Sequence, residues 1–263
     1  MTGNLLPKIS CLTVTLDRIV LLKQAILCFL NQTYPNKEMI IVTAGGTRYQ
    51  KAIRDYLKSL GRTDIRLEVL EESRGNLGNL RNASMEAAAG EVICQWDDDD
   101  LYHPERLARQ FAEMTGRKAQ ASFLTDHFQF FNQDKELYWV DWTAGGQIHG
   151  RDQHMPATLM MYKDGRFRYI DRLGGGEDCE FRDMFYDRIP VADLAGIGFL
   201  FMYRYHGVNV LSREHHRHIS RFGYDAAFIR QHADVLFWAL SGYDLPRPFS
   251  VKERNGDTLF QVN

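Results

Sequence analysis

Apolar and polar positions alternate between two periods along roughly the first 115 residues. Ile9 to Thr15 is β-branched and apolar on both faces, as a parallel strand covered on both sides would be. From Ile19 to Asn31 the residues Leu22, Ile26, Phe29 and Leu30 recur at helical spacing, and Thr33-Tyr34-Pro35-Asn36 ends that helix. Glu38 to Val42 predicts a second strand, which leaves through Thr43-Ala44-Gly45-Gly46-Thr47 into a helix around Gln50 to Leu60. Ile65 to Leu70 predicts a third strand, Ala83 to Ala89 a short helix stopped by Gly90, and Glu91 to Trp96 a fourth strand. Pro104 to Met114 follows as a helix with Leu107 and Phe111 inward. This β-α-β-α-β alternation predicts an α/β fold with a mostly parallel sheet of the nucleotide-binding type.

Beyond Gly116 the alternation becomes ragged, the strands look short and mixed, and Phe128, Phe130, Phe131, Tyr138, Trp139 and Trp142 cluster. Aromatic faces can hold sugars, but such clusters are more often core, and the core reading leads. Gly145-Gly146, His154-Met155-Pro156 and Gly174-Gly175-Gly176 punctuate this half as candidate mobile loops. Phe199 to Tyr203 predicts a strand. Tyr224 to Leu240 predicts an amphipathic helix with Phe228, Val235, Leu236 and Leu240 near one face, which can pack on the core, pair with a second copy or lie against lipid.

At 263 residues the chain can bury a large core as one domain or as two closely joined halves. Its 32 Lys and Arg against 34 Asp and Glu create no polyelectrolyte field, which argues against a nucleic-acid partner. Cys11, Cys28, Cys94 and Cys179 form no CxxC pair and read as reduced core residues of a cytosolic protein. No basic-then-apolar leader opens the chain, and Leu194 to Tyr203 is too short to span a bilayer. The protein is expected to be cytoplasmic, able to touch the inner face of a membrane without crossing it.

Against this background Gln95-Trp96-Asp97-Asp98-Asp99-Asp100 stands out, because four adjacent acids at a strand end repel one another and serve no folding need. A solvated acidic loop is the plain alternative. Ligands, however, gather beyond the carboxyl ends of strands in open α/β sheets. A hard cation such as Mg2+ or Mn2+ takes one or two protein carboxylates and completes its shell with water and phosphate oxygens. Arg74 to Asn82 combines glycines with Arg81, which could pair with phosphate; a turn with an Asn cap is the competing account. Glu177-Asp178 opens a helical pattern after the triple glycine, where acids are routine but a general base could also be delivered. The segment around Arg204, His206, Arg213, His215, His216, Arg217, His218 and Arg221 lacks the spacing of a structural zinc site; it reads either as a solvated basic face or as a counter-charge for a diphosphate.

These pieces together resemble a family 2 glycosyltransferase of the GT-A fold, over most of the chain up to the basic segment. The resemblance is carried by Pro7-Lys8-Ile9-Ser10, Asn31 to Glu38, Gly78 to Asn82, Trp96 to Asp100 with His103 to Leu107, Glu177-Asp178, and Tyr203 to Asn209. It implies a Rossmann-like, mostly parallel central sheet flanked by helices with a smaller mixed sheet on the acceptor side. The donor half would cover about residues 1–115, the acceptor half about 116–223 and a C-terminal helical extension about 224–263.

The resemblance also implies transfer of a sugar from a nucleotide-sugar, with inversion, to a saccharide or lipid-linked saccharide, in the style of bacterial surface-polysaccharide synthesis. Asp97 and Asp99 would form the DxD pair, with Asp99 the direct ligand of Mn2+ or Mg2+ and His206 a further ligand. Thr13, Thr43, Arg81, Asp97 and Asp98 would face the donor. Asp178 would be the general base and Glu177 its orienting neighbour. One departure concerns the nucleotide: where the family commonly carries an acid after the second strand, this chain reads Thr43-Ala44-Gly45-Gly46. A threonine cannot replace a carboxylate's recognition of a base N–H, so UDP-sugar is only the first expectation. A metal-dependent nucleotidyl or phosphoryl transferase and a non-catalytic sugar-binding module are the alternatives. Peripheral membrane contact and a homodimer are both compatible with the sequence.

Overall fold

A computed structural model describes residues 6–72, 75–143, 152–171 and 176–263. Strand β1 (Ile9–Val14) leads through a short loop into α1 (Ile19–Leu30), then β2 (Lys37–Thr43), α2 (Thr47–Leu60), β3 (Ile65–Val69), α3 (Leu77–Ala87) and β4 (Val92–Gln95). Short β5 (Leu101–Tyr102) and α4 (Arg106–Gly116) follow, then β6 (Ala121–Leu124), β7 (Asp126–Phe131), β8 (Glu136–Asp141) and β9 (Met155–Tyr162). The remainder comprises α5 (Glu177–Phe185), β10 (Val191–Leu194), β11 (Phe201–Tyr205), α6 (Arg213–Ser220), α7 (Ala226–Gln231), α8 (Ala233–Leu240), β12 (Phe249–Lys252) and β13 (Thr258–Val262).

The strands form a seven-stranded sheet in the order β10-β6-β9-β4-β1-β2-β3 and a six-stranded sheet in the order β13-β12-β8-β7-β11-β5. Within the first, β1 is parallel to both β2 and β4, and β2 is parallel to β3, while β9 runs antiparallel to β4. The second is mixed, with β7–β8 antiparallel and β7–β11 parallel. An α/β architecture with a large, mostly parallel sheet flanked by helices is therefore present as expected.

The chain divides into two units, the first made of the residues through Asp99 with Leu107–Ser122 and Pro156–Ala192, the second of Asp100–Arg106, Phe123–Met155 and Asp193–Asn263. In the first, β1 and nearly all of β2 are buried, with Ile9, Cys11, Met39 and Ile40 fully covered, as is Val92 of β4; α1 adds Leu22, Ile26 and Phe29 to the same core. Each such side chain contributes about 1.5–3 kcal/mol through removal from water. In the second, the aromatic cluster is core: Phe128, Phe130 and Phe131 are fully buried, and Trp139 meets Phe128 edge-on at 5.4 Å.

Two expectations change. The helix expected from Ala83 begins at Leu77, because the Asn76 side chain accepts from the Asn79 N–H at 2.8 Å and caps it. The stretch read as a ligand loop is thus largely helical, and Gly78 serves packing: a Cβ there would lie 2.2 Å from the Ile170 carbonyl oxygen. Arg74, Gly145-Gly146 and Gly174-Gly175 lie outside the described residues.

The tail also differs. The single helix expected over 224–240 is two, broken at His232, whose φ of −106° and ψ of 22° leave the helical range. The residues beyond are not a helical extension but the β12–β13 hairpin, whose β12 joins β8 in parallel. Phe249 and Val251 point inward in alternation there, the period of a strand. Among the described residues no helix is long and apolar enough to cross a membrane.

Candidate active site

In the first unit the chain runs β1, β2, β3 outward to one side and then returns to place β4 on the other side of β1. The order therefore reverses between β1 and β4, and a crevice opens beyond the carboxyl ends of strands at such a reversal. Two loops leave the sheet there: Thr15 to Arg18 after β1, and Trp96 to Asp99 after β4.

Trp96 sets the direction of the acidic run. It is fully buried, its indole N–H donates to the Ala25 carbonyl at 3.1 Å, and its own carbonyl accepts from the Thr13 hydroxyl at 2.7 Å. The aspartates then diverge to different partners. Asp98, only 1% exposed, accepts from the Thr15 hydroxyl at 2.5 Å and lies 2.9 Å from Arg18 Nη2. Asp99 takes the other arm of the same guanidinium, 2.7 Å from Arg18 Nη1. The Thr15 hydroxyl also meets the Tyr49 hydroxyl at 2.5 Å. Burial raises the Asp98 pKa, the Asp99 charge adds to that, and Arg18 and Thr15 oppose it.

Asp97 faces the other way. It lies 3.2 Å from Arg81 Nη1 and accepts from the Gln95 side-chain amide at 3.1 Å. Arg81 in turn donates from Nε to Glu177 at 3.1 Å. The guanidinium lies 5.6 Å from the Tyr169 ring centre, and Tyr169 is stacked on Phe181 at 4.1 Å. Burial raises the Asp97 pKa while Arg81 pulls it down. Burial would lower the Arg81 pKa, but Asp97, Tyr169, Glu177 and Asp178 outweigh it and hold the side chain charged.

Glu177 and Asp178 open α5, whose N-cap Gly176 sits at φ +92°, a left-handed conformation that glycine adopts without strain. Glu177 is buried against Arg81, while Asp178 is partly exposed and its Oδ1 accepts from the Cys179 N–H at 2.9 Å. Acids in this first turn meet the exposed amides of the helix start.

Five carboxylates, from Asp97, Asp98, Asp99, Glu177 and Asp178, thus share two guanidinium groups, from Arg18 and Arg81. The excess negative charge and all-oxygen donor set suit a divalent cation that brings its own water and phosphate oxygens. They do not form a preformed cage. Among the described residues no group of three or more His, Cys, Asp or Glu side chains is arranged to hold a metal.

His206 belongs to the second unit, where its backbone N–H donates to the Asn209 side chain at 2.8 Å. Asp100 belongs there too, accepting from the Arg204 N–H at 3.0 Å. Thr13 and Thr43 are fully buried, and each donates its hydroxyl to a backbone carbonyl, of Trp96 and of Thr15 at 2.8 Å. They hold the strand exits in place. Arg81, expected toward the donor, pairs with Asp97 and Glu177.

The middle of the basic segment forms α6, and the two arginines of that helix are paired with acids of their own unit. Arg213 and Arg217 each lie 2.7 Å from Asp134, and Arg217 also reaches Glu136 at 2.6 Å. His216 is fully buried, 2.9 Å from the Gln129 side chain and stacked on Tyr203 at 4.5 Å.

Thr15, Arg18 and Tyr49 were missing from the sequence-based set. The signal for Thr15 and Arg18 was their place just after a buried parallel strand; only the β4-β1 pairing shows that this exit adjoins the aspartates.

A family model described as glycosyl transferase family 2 matches residues 10–174, a stretch that holds Arg18, Arg81 and the aspartates and stops just short of Glu177. Over 122 residues the chain is 30% identical to the putative teichuronic acid biosynthesis glycosyltransferase TuaG of Bacillus subtilis, covering 46% of this chain and 47% of that one. The matched regions span between 25% and 49% of the length of the curated relatives. In three dimensions the chain is similar to S. aureus TarS 1-349 in complex with UDP-GlcNAc, with a TM-score of 0.59, 15% identity, and 81% of this chain and 64% of that one covered. It is similar as well to the mannosyltransferase PcManGT of Pyrobaculum calidifontis in complex with GDP-Man and Mn2+, with a TM-score of 0.57, 13% identity, and 92% and 67% coverage. At these identities the structural likeness speaks to the fold. The sequence match covers well over half of the chain and includes both loops at the β1–β4 reversal: the chain belongs to glycosyl transferase family 2.

Proposed function

We propose that the chain is a metal-dependent, inverting glycosyltransferase that moves a sugar from a nucleotide-sugar to a hydroxyl of a saccharide or lipid-linked saccharide. The observation that carries this reading is the joining of Asp97 at the end of β4 to Glu177 at the start of α5 through Arg81. It couples a carboxylate group suited to a cation with a helix start suited to a base.

Asp99 and Asp97 would hold Mn2+ or Mg2+, which when bound stabilises the charge that develops on the departing diphosphate. Arg18 keeps Asp98 and Asp99 apart at a fixed spacing although both are acidic. Asp178 takes the proton of the acceptor hydroxyl as its oxygen attacks the anomeric carbon from the face opposite the nucleotide. The new C–O bond forms as the bond to the diphosphate oxygen breaks, and that oxygen leaves with the electron pair. Glu177, fixed by Arg81, orients the turn that presents Asp178.

UDP-sugar is the first donor to try, since TarS is seen with UDP-GlcNAc. The absence of an acid at Thr43-Ala44 and the GDP-Man bound to PcManGT keep GDP-sugar beside it. TuaG is named for teichuronic acid biosynthesis, and a saccharide acceptor of that kind is the first to try.

The test is thermal shift and calorimetry with UDP, GDP, dTDP and CDP, each with Mn2+ and with EDTA. A ligand that binds only the native state raises its stability. We expect one nucleotide to give a selective shift that EDTA removes and Asp99→Ala abolishes. A uniform absence of shifts across all eight conditions would sink the reading.

A further inference from the structure

Helix α2 carries a charge arrangement that the active site does not use. Arg48, Lys51, Arg54 and Lys58 are all exposed and recur at intervals of three and four residues. At 3.6 residues per turn that spacing puts them in one arc of about 120°. Asp55, 2.5 Å from Lys51, is the one acid of the helix. Tyr49 and Ile53 point the opposite way into the core. The chain as a whole has a net charge of −2, so this stripe is a local reversal of sign.

Helix α1 adjoins it with a different chemistry. Val20, Lys23 and Leu27 lie on one face at helical spacing, with Val20 69% and Leu27 49% exposed; Leu16, just before the helix, is 51% exposed. The Lys23 ammonium sits 4.7 Å from the centre of the Tyr56 ring, which lies toward the inner side of α2, so the two helices are neighbours and each turns its own outer face to solvent. Both helices begin at the exits of β1 and β2, the end of the sheet where the aspartates of β4 also emerge.

We infer that the outer face of α1 and α2 docks on an anionic lipid surface. A row of basic side chains beside exposed aliphatic ones matches a leaflet of anionic headgroups over hydrocarbon, where each Lys or Arg near the surface adds attraction and each buried aliphatic group adds more. A nucleic acid would use the charges and leave Val20 and Leu27 without a role. The inference goes beyond the proposed reaction and holds whatever the sugar.

The experiment is sedimentation of the full chain with vesicles of phosphatidylcholine alone and with about 30% phosphatidylglycerol. We expect binding to the anionic vesicles only, lost in 0.5 M salt. The combined Arg48→Glu, Lys51→Glu and Lys58→Glu variant should bind about tenfold or more weakly. A second variant, Val20→Ser with Leu27→Ser, should bind severalfold more weakly at equal charge. All five side chains are exposed, so circular dichroism should show both variants folded. Equal binding to neutral and anionic vesicles, no binding to either, or unchanged binding by the charge-reversed variant would overturn the inference. Retention of mixed-sequence RNA without vesicle binding would do so as well, assigning the face to nucleic acid.

Discussion

Arg81 is buried between Asp97 and Glu177, 3.2 Å from the first through Nη1 and 3.1 Å from the second through Nε. Both carboxylates depend on it. Removing Arg81 takes away the guanidinium between two largely covered carboxylates, and breaking a buried ion pair by removing one partner costs about 3–5 kcal/mol. We expect Arg81→Met to lower stability by about that amount in urea unfolding. Arg81→Lys should retain part of it, since an ammonium keeps the charge but lacks the planar guanidinium that reaches Asp97 through Nη1 and Glu177 through Nε. A loss under about 1 kcal/mol for Arg81→Met would show that the cluster relaxes or takes up protons instead.

Asp178 and Asp99 are expected to separate chemistry from binding. Asp178→Asn removes the proposed proton acceptor while leaving the strand-end aspartates untouched, so nucleotide affinity should be retained and transfer should fall by about 100-fold or more. Asp99→Ala should instead lose metal-dependent nucleotide binding. Calorimetry beside a product assay tells the two apart, and normal transfer by Asp178→Asn would assign the base elsewhere.

Asp126 offers a test in the second unit. Its carboxylate accepts from Trp139 Nε1 at 3.0 Å and from the Gly196 and Gly198 N–H groups at 3.0 and 3.1 Å, yet burial still raises its pKa to about 6. The ordinary value is 3.8, so the folded state binds the proton more tightly than the unfolded one. The stabilisation from protonating this group is therefore complete below about pH 4 and disappears as pH rises through about 6, up to about 3 kcal/mol in all. We expect the difference in unfolding free energy between wild type and Asp126→Asn to change by that order between pH 4 and 7. A difference that stays flat would show that the three donors already cancel the effect of burial.

Gly78 stands where a side chain cannot. A Cβ would come within 2.2 Å of the Ile170 carbonyl oxygen, so Gly78→Ala must push α3 away from that backbone. Overpacking of this kind costs about 1–3 kcal/mol, which for a chain of this size lowers the melting temperature by roughly 2–4 °C per kcal/mol. Since Arg81 is one turn further along α3, the same variant should weaken transfer more than it weakens folding. A melting curve beside an activity assay would separate the two effects.

Much of the first unit was legible because its signals are local. The buried strands read as continuous apolar runs, the helices as 3.6-residue periods, and the acidic tetrad as an arrangement no folding rule would produce. Helix α3 was placed late because Asn76 and Gly78 look like loop residues until the cap and the close approach to Ile170 are seen. The C-terminal strands were missed because Phe249 to Lys252 is too short to display a period against its surroundings.

What the amino-acid order determined by itself is the set of chemical groups and their local backbone: parallel strands ending in acids, Glu177-Asp178 at a helix start, and a family pattern running through residues 10–174. Pairing between segments distant in the chain was decided only by the tertiary structure. The β4-β1 register brings Thr15 and Arg18 to Asp98 and Asp99, and the packing of α3 and α5 puts Arg81 between Asp97 and Glu177. The reason is physical: period and composition report which side of an element faces the core, whereas an ion pair depends on which elements become neighbours, and that is settled by the burial of the whole sheet.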